Sequence, residues 1–307
     1  MIEAKGLVKH YGSTTAVDDL SFVVRPGIVT GFLGPNGSGK STTMRMMIGL
    51  DHPNKGTVTI DGRAYDQIRW PLREVGALLE AKAIHPGRTA RNHLRALAAS
   101  NRIPVRRVDE VLELVGLTTV SGKRAGGYSL GMGQRLGIAA ALLGDPHVLL
   151  FDEPVNGLDP EGIQWVRELL RTLAGQDKTV FVSSHLMSEM ALTADHLIVI
   201  GRGKLIADTS VDEFVASASQ KAVLVRSPDI TRLRAALAGG EDVSFTDGER
   251  GALEVHGLTA EQVGDAAAAA GIALHELTPQ HASLEEAFMD LTRDEIEFGA
   301  QTEKAPA

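Results

Sequence analysis

Short apolar runs alternate with helical patterns along most of this chain, and that rhythm predicts its architecture. The runs 28–33, 147–151, 179–182 and 196–200 carry few polar residues. Strands buried on both faces read this way, and helices between them imply a parallel α/β core. Two further strands, 2–8 and 15–24, come first, and Pro26-Gly27 turns the chain into the run at 28. Residues 51–56 form a turn, and 57–60 alternates as an exposed strand. Helical periodicity then covers about 89–117 in two stretches, 92–97 and 105–115, the second starting after Pro104.

Near 215–219 the chain becomes small and polar, which predicts a linker. Beyond it the order is strand 222–225, helix 230–237, strands 243–245 and 252–255, helix 260–270 and strand 272–277. That β-α-β-β-α-β order is the split ferredoxin-like plan. A last helix is predicted over 284–291, with Ser283 as N-cap and Glu285 and Glu286 in its first turn. The tail after 298 is expected to fray.

Composition narrows the function classes. At 307 residues the chain has room for a large domain and a smaller one. A net charge of −8, with the acids scattered, argues against a broad nucleic-acid footprint. No cysteine is present, so disulfides, thiolate catalysis and Cys-based zinc sites are excluded. No uncharged apolar stretch approaches the ~18–20 residues that cross a bilayer. The opening Met-Ile-Glu-Ala-Lys lacks the basic-then-apolar layout of a secretory signal. A cytosolic chain, reaching any membrane through a partner, is the expectation.

The densest chemistry lies at Gly34-Pro35-Asn36-Gly37-Ser38-Gly39-Lys40-Ser41, which fits the phosphate-loop pattern G-x-x-x-x-G-K-[ST]. Successive backbone N–H groups of such a loop wrap a triphosphate, and its glycines admit phosphate oxygens without Cβ clashes. Lys40 would reach the β- and γ-phosphates, and the Ser41 hydroxyl would ligate Mg²⁺. Thr42 opens the helical stretch 42–50, so a strand, the loop and a helix N-terminus follow one another and aim free N–H groups at an anion. A glycine-rich segment by itself is also a flexible turn; its flanks select the phosphate reading.

A second strand ends in two adjacent carboxylates, Asp152 and Glu153. In α/β sheets ligands sit at strand C-termini. Alternation sends these side chains in different directions, so they can do different work. Asp152 would hold Mg²⁺ through water, and Glu153 would act as general base or orient the attacking water beside the γ-phosphate.

Together these motifs resemble the nucleotide-binding subunit of an ATP-binding cassette (ABC) transporter over about residues 2–208. The family's signature segment corresponds to Tyr128-Ser129-Leu130-Gly131-Met132. Ser129 and Gly131 match, while Leu130 and Met132 replace the usual Gly and Gln. In the family this segment touches ATP held by the opposite subunit, which implies a head-to-tail homodimer. Asp159, in Asn156-Gly157-Leu158-Asp159-Pro160, resembles the D-loop aspartate facing the partner; on its own it reads as a helix N-cap. His185 resembles the switch histidine at the γ-phosphate, and Tyr11 the aromatic that stacks on adenine. Glu80 replaces the glutamine of the Q-loop, which meets the permease in the family; its oxygen could still ligate Mg²⁺ or water.

The resemblance implies an α/β P-loop NTPase domain over 1–215, with a RecA-like core, a helical subdomain at about 85–145 and an antiparallel β subdomain. A small α+β C-terminal accessory domain would fill 220–307. It further implies ATP and Mg²⁺ as cofactors, hydrolysis coupled to a separate integral membrane permease, and a place on the cytoplasmic side of the membrane. The shifted signature, Glu80 and the C-terminal domain resemble bacterial drug and antibiotic exporters. Competing readings are ABC ATPases of translation or DNA maintenance, an ABC subunit with a non-drug cargo, and a phosphate-loop kinase. Translation types usually carry paired cassettes and repair types a long coiled coil. A kinase would need an acceptor lid and would not explain Ser129, Gly131 and His185. No nucleic-acid partner is expected.

Overall fold

The computed structural model describes residues 1–80, 84–218, 222–238, 243–248, 251–280, 284–285 and 288–289. The chain divides into two compact units at Val211/Asp212.

The first unit begins with β1 (Ile2–Tyr11) and β2 (Thr14–Val24), which pair antiparallel, and β4 (Lys55–Ile60) adds to the far edge of β1. Between them come β3 (Val29–Leu33) and helix α1 (Lys40–Met47). The remainder is β5 (Val75–Leu78), α2 (Ala90–Ser100), α3 (Arg106–Leu114), α4 (Leu130–Leu142) and β6 (Val148–Asp152). After these come α5 (Pro160–Gly175), β7 (Thr179–Ser184), α6 (Met187–Thr193), β8 (His196–Gly201) and β9 (Lys204–Ser210).

The larger sheet runs β5-β6-β7-β3-β8-β9. Its neighbours are parallel except β9, which lies antiparallel on the edge of β8. β3 and β7 are buried at every position, as the unbroken apolar runs require. The rings of Phe22, Phe32 and Phe181 meet with centroids 5.0 to 5.8 Å apart. Phe22 belongs to the antiparallel sheet and the other two to the parallel one. This contact joins the two sheets at Phe32, two residues before the loop that leaves β3.

Because β7 lies between β6 and β3, the C-termini of all three strands emerge side by side. Leu33 aligns with Ser184, and Asp152 with Ser183. A crevice outside these ends is where open α/β sheets hold ligands.

The second unit starts with α7 (Val211–Ala218), where the sequence predicts a linker. Ala and Ser are cheap in a helix, Asp212 and Glu213 favour its first turn, and Phe214 is buried. Next come β10 (Ala222–Arg226), α8 (Ile230–Leu237), β11 (Ser244–Asp247), β12 (Leu253–His256), α9 (Ala260–Ala269) and β13 (Glu276–Gln280). The sheet order is β11-β12-β10-β13 with every neighbour antiparallel, the ferredoxin-like order. Val223, Val225, Leu233, Leu253 and Val263 fill its core.

The last strand starts later than 272, because Ile272 closes α9 by donating its N–H to Ala267. Pro279 fits in β13 because that strand is at the sheet edge. Residue 219 of the expected linker, Ser283, Glu286, 290–291 and the tail after 298 lie outside the described residues. Among the described residues no helix is long and apolar enough to cross a membrane.

Candidate functional site

The phosphate loop leaves β3 at Gly34 and enters α1 at Gly39, which sits in the left-handed region at φ +104°. A Cβ on Gly39 would lie 2.4 Å from the carbonyl oxygen of Ala16, and one on Gly34 would lie 2.4 Å from that of Ile200. The loop is therefore pressed against β2 and β8, and only glycine fits at these positions. Pro35 is half-buried, and the tip, Asn36 and Gly37, is exposed. Ser38 is buried with a hydroxyl that has no hydrogen-bond partner.

Lys40 is the first residue of α1 and is buried. Its ammonium donates back to the carbonyls of Gly34 at 2.6 Å and Pro35 at 3.0 Å. Burial pushes its pKa below the ordinary lysine value, opposed by the carboxylates of Glu153 and Asp152. Those three side chains therefore share one electrostatic environment.

Asp152 ends β6. Its Oδ2 accepts from the Ser41 hydroxyl at 2.7 Å, and its Oδ1 accepts from the Ser183 hydroxyl on β7. Glu153 follows at φ +49°, a left-handed conformation costing a residue with a Cβ about 1–2 kcal/mol. Its N–H donates to Ser183 Oγ at 3.0 Å, and its carbonyl accepts from Gln134 Nε2 of α4 at 3.0 Å. Its carboxylate Oε2 lies 2.8 Å from His185 Nδ1, just past the end of β7. Asn36, Gly37, Lys40, Ser41, Asp152 and Glu153 line a cleft of about 240 Å³, and Gly39 and Thr42 also border it.

Tyr11 ends β1, with its ring half-exposed. Its hydroxyl donates to Asp51 Oδ2 at 2.8 Å, and Arg45 Nε of α1 donates to the same oxygen at 2.7 Å. Lys9 lies over the ring, 5.1 Å from its centroid. Burial, then the bond to Asp51, raises the tyrosine pKa, while Arg45 and Tyr11 hold the Asp51 carboxyl below its ordinary value.

The structure does not bring every expected residue to this cleft. Glu80, expected among the Mg²⁺-facing oxygens, is exposed after β5 and lines a separate groove of about 330 Å³ with Arg45, Leu79, His93 and Leu97. Ser129 caps α4, its hydroxyl accepting from the Met132 N–H at 3.2 Å. It opens onto another cavity of about 430 Å³ beside Tyr128 and Leu130. Gly131 lies against Leu158, and half-exposed Leu130 covers Gly157. Asp159 caps α5, accepting from the Gly162 N–H at 2.9 Å. Within one chain, neither Ser129, Gly131 nor Asp159 lines the cleft of Lys40.

Sequence reasoning misses two supports of this cleft, Ser183 and Gln134, and a residue that ties Tyr11 to α1. Ser183 was visible only as part of the run before His185; its partnership with Asp152 comes from strand register. Gln134 could have been suspected as a buried polar residue within an apolar helix. Asp51, which the sequence places in a turn, bonds Tyr11 and Arg45, and neither of these lines the cleft.

Residues 17–156 match the family model described as ABC transporter, and residues 221–285 match one described as a domain of unknown function (DUF8746). The bacitracin transport ATP-binding protein BcrA of Bacillus licheniformis is 41% identical over 238 residues, covering 73% of this chain and 78% of its own. The uncharacterized ABC transporter ATP-binding protein YdbJ of Bacillus subtilis (strain 168) is 33% identical over 304 residues, 98% of each chain. In fold, the chain is similar to the dimeric structure of MJ0796, a bacterial ABC transporter cassette. That likeness has a TM-score of 0.64 at 23% identity, covering 69% of this chain and 99% of the other. A phosphate loop facing an Asp-Glu strand end, and kinship at this level across most of its length, make this chain an ATP-hydrolysing member of the ABC transporter ATP-binding subunits.

Proposed function

We propose that this chain energises export of an antibiotic or similar amphipathic compound through a separate membrane permease, working as a head-to-tail pair on the cytoplasmic face. The observation that carries the pairing is the separation of Ser129 from the Lys40 cleft within one chain. A helix start offering free N–H groups suits a phosphate, and a second copy could bring it to this one's cleft. The export reading rests on likeness to a bacitracin transport subunit.

Lys40 would exchange the carbonyls of Gly34 and Pro35 for β- and γ-phosphate oxygens, turning neutral bonds into charge-assisted ones. The loop N–H groups and the Ser38 hydroxyl, which lacks a partner, would complete the cradle. Tyr11 would stack on the adenine. Water would attack the γ-phosphorus in line as the bond to the β-bridging oxygen breaks. Glu153 would accept the proton of that water, and His185, whose neutral ring has one N–H to donate, would give it either to this carboxylate or to the γ-phosphate.

The Ser41 hydroxyl and Asp152 carboxylate suit Mg²⁺, which prefers oxygen ligands and keeps several waters beside one or two carboxylates. When bound it would neutralise phosphate charge. Among the described residues no group of three or more His, Cys, Asp or Glu is placed to hold a metal. Contact with the permease is assigned to the groove beside Glu80, between β5 and the α2–α4 segment.

The test is sedimentation of Glu153→Gln with ATP. That variant keeps the geometry and loses the base, so it should accumulate as an ATP-held dimer. A monomer at saturating ATP would sink the pairing. For the cargo, deleting the chain in its host should increase sensitivity to peptide antibiotics; unaltered sensitivity would remove the export reading.

A further inference from the structure

Gln134 is 4% exposed on α4, and its Nε2 donates to the carbonyl oxygen of Glu153 at 3.0 Å. On the other side, Ser183 receives the Glu153 N–H at its hydroxyl, 3.0 Å away, and at its carbonyl, 3.3 Å away. Between these anchors the backbone of Glu153 holds φ +49°. A residue with a Cβ keeps that conformation only where its surroundings impose it. The conformation decides where the carboxylate points. Extended backbone would continue the alternation of β6 and send the side chain away from His185, instead of to the observed 2.8 Å contact.

We propose that Gln134 is a positioning residue for the Glu153 carboxylate, and that through it α4 links the two nucleotide sites of a dimer. The proposal rests on the reading of Glu153 as the base. Ser129 caps the same helix little more than a turn earlier, at the end assigned to the partner's nucleotide. A helix moves as a unit, and a hydrogen bond weakens steeply once its alignment is lost. When α4 settles against a partner's ATP, the Gln134 amide therefore sets the Glu153 backbone in its own site. A closed neighbour would favour a competent base here.

The experiment is a double-variant cycle on the full chain, read by steady-state ATP hydrolysis. Gln134→Met keeps the length of the side chain and removes the donor. Its kcat should fall about tenfold with KM for ATP within about twofold, because orientation and not binding is lost. Placed on Glu153→Asp, whose shortened carboxylate is already out of position but leaves a residual rate to measure, the same change should cause a smaller loss, and the Hill coefficient for ATP of the single variant should fall toward 1. Should Gln134→Met fail to fold, Gln134→Asn, which retracts the amide, carries the same comparison. An unchanged kcat, a rise in KM alone, or an equal loss in both backgrounds overturns the positioning role. A Hill coefficient equal to wild type, with kcat lowered, overturns the link between sites. Hydrolysis by Glu153→Gln at the wild-type rate overturns the reading of Glu153 itself, whatever Gln134→Met does.

Discussion

The Ser41 hydroxyl donates to Asp152 Oδ2 across 2.7 Å, joining the first turn of α1 to the end of β6 over a sequence separation of 111 residues. The same carboxylate is held from behind by the Ser183 hydroxyl, so its orientation is set before any ligand arrives. Preorganised oxygens of this kind bind a hard cation without first paying for their own ordering.

Removing either oxygen should therefore show as a change in metal dependence. Ser41→Ala and Asp152→Asn should each raise the Mg²⁺ concentration for half-maximal ATP hydrolysis by about tenfold or more. Ser183→Ala should do so more weakly, since it loosens Asp152 without deleting a ligand. A magnesium titration of hydrolysis checks all three. Curves that superimpose on wild type would remove Ser41 and Asp152 from the metal site.

The buried ammonium of Lys40 makes a prediction about pH. Its folded pKa lies below the ordinary 10.5 because burial penalises the charge. Between the folded and the unfolded pKa the unfolded chain binds more protons, so this group makes stability rise with pH in that window. Below the window its penalty is constant. The melting temperature of wild type relative to Lys40→Met should thus climb as pH approaches 10.5 from below. A flat difference would mean that the ammonium is not desolvated. The same variant should lose about tenfold or more in ATP affinity, the worth of charged hydrogen bonds to phosphate.

How much of this was legible in the sequence follows from how each feature is encoded. β3, β6, β7 and β8 are read directly, because strands buried on both faces leave unbroken apolar runs. β5 is short and contains Gly76, and β9 is an edge strand with mixed polarity, so neither leaves such a trace. The residues 215–219 read as linker from composition, yet 215–218 continue the helix that holds buried Phe214. In the cleft, Lys40, Ser41, Asp152 and Glu153 are fixed by local motifs. Ser183 and Gln134 act on them through strand register and helix packing, which one-dimensional spacing does not record.

The three-ring contact of Phe22, Phe32 and Phe181 joins the two sheets and should dominate their stability. Phe181→Ala would empty a site that is 0% exposed and cost about 3–5 kcal/mol. Because Phe32 directly precedes Leu33 and Gly34, Phe32→Leu should loosen the phosphate loop as well as the core. Denaturant unfolding measures the first effect and ATP affinity the second. A loss below about 1 kcal/mol for Phe181→Ala would show that the two sheets are held together elsewhere.

Asp51, bonded to Tyr11, lies outside the lining of the Lys40 cleft. It receives the Tyr11 hydroxyl and the Arg45 guanidinium on one oxygen, tying the half-exposed ring to α1, the helix that begins with Lys40. Asp51→Ala would free the ring while leaving the loop intact. Affinity for ATP should fall about fivefold, the worth of one ordinary hydrogen bond, whereas affinity for inorganic triphosphate should not move. Tyr11→Phe, which deletes the hydroxyl and keeps the ring, should reproduce most of that loss if the bond acts by orienting the ring. Acid adds an independent check. The Asp51 carboxyl sits below its ordinary 3.8, so its contribution is present above that value and is lost as pH falls through the folded pKa. The acid dependence of stability should consequently be shallower in Asp51→Ala than in wild type. Equal loss of ATP and triphosphate affinity would place Asp51 with the phosphates and not with the ring.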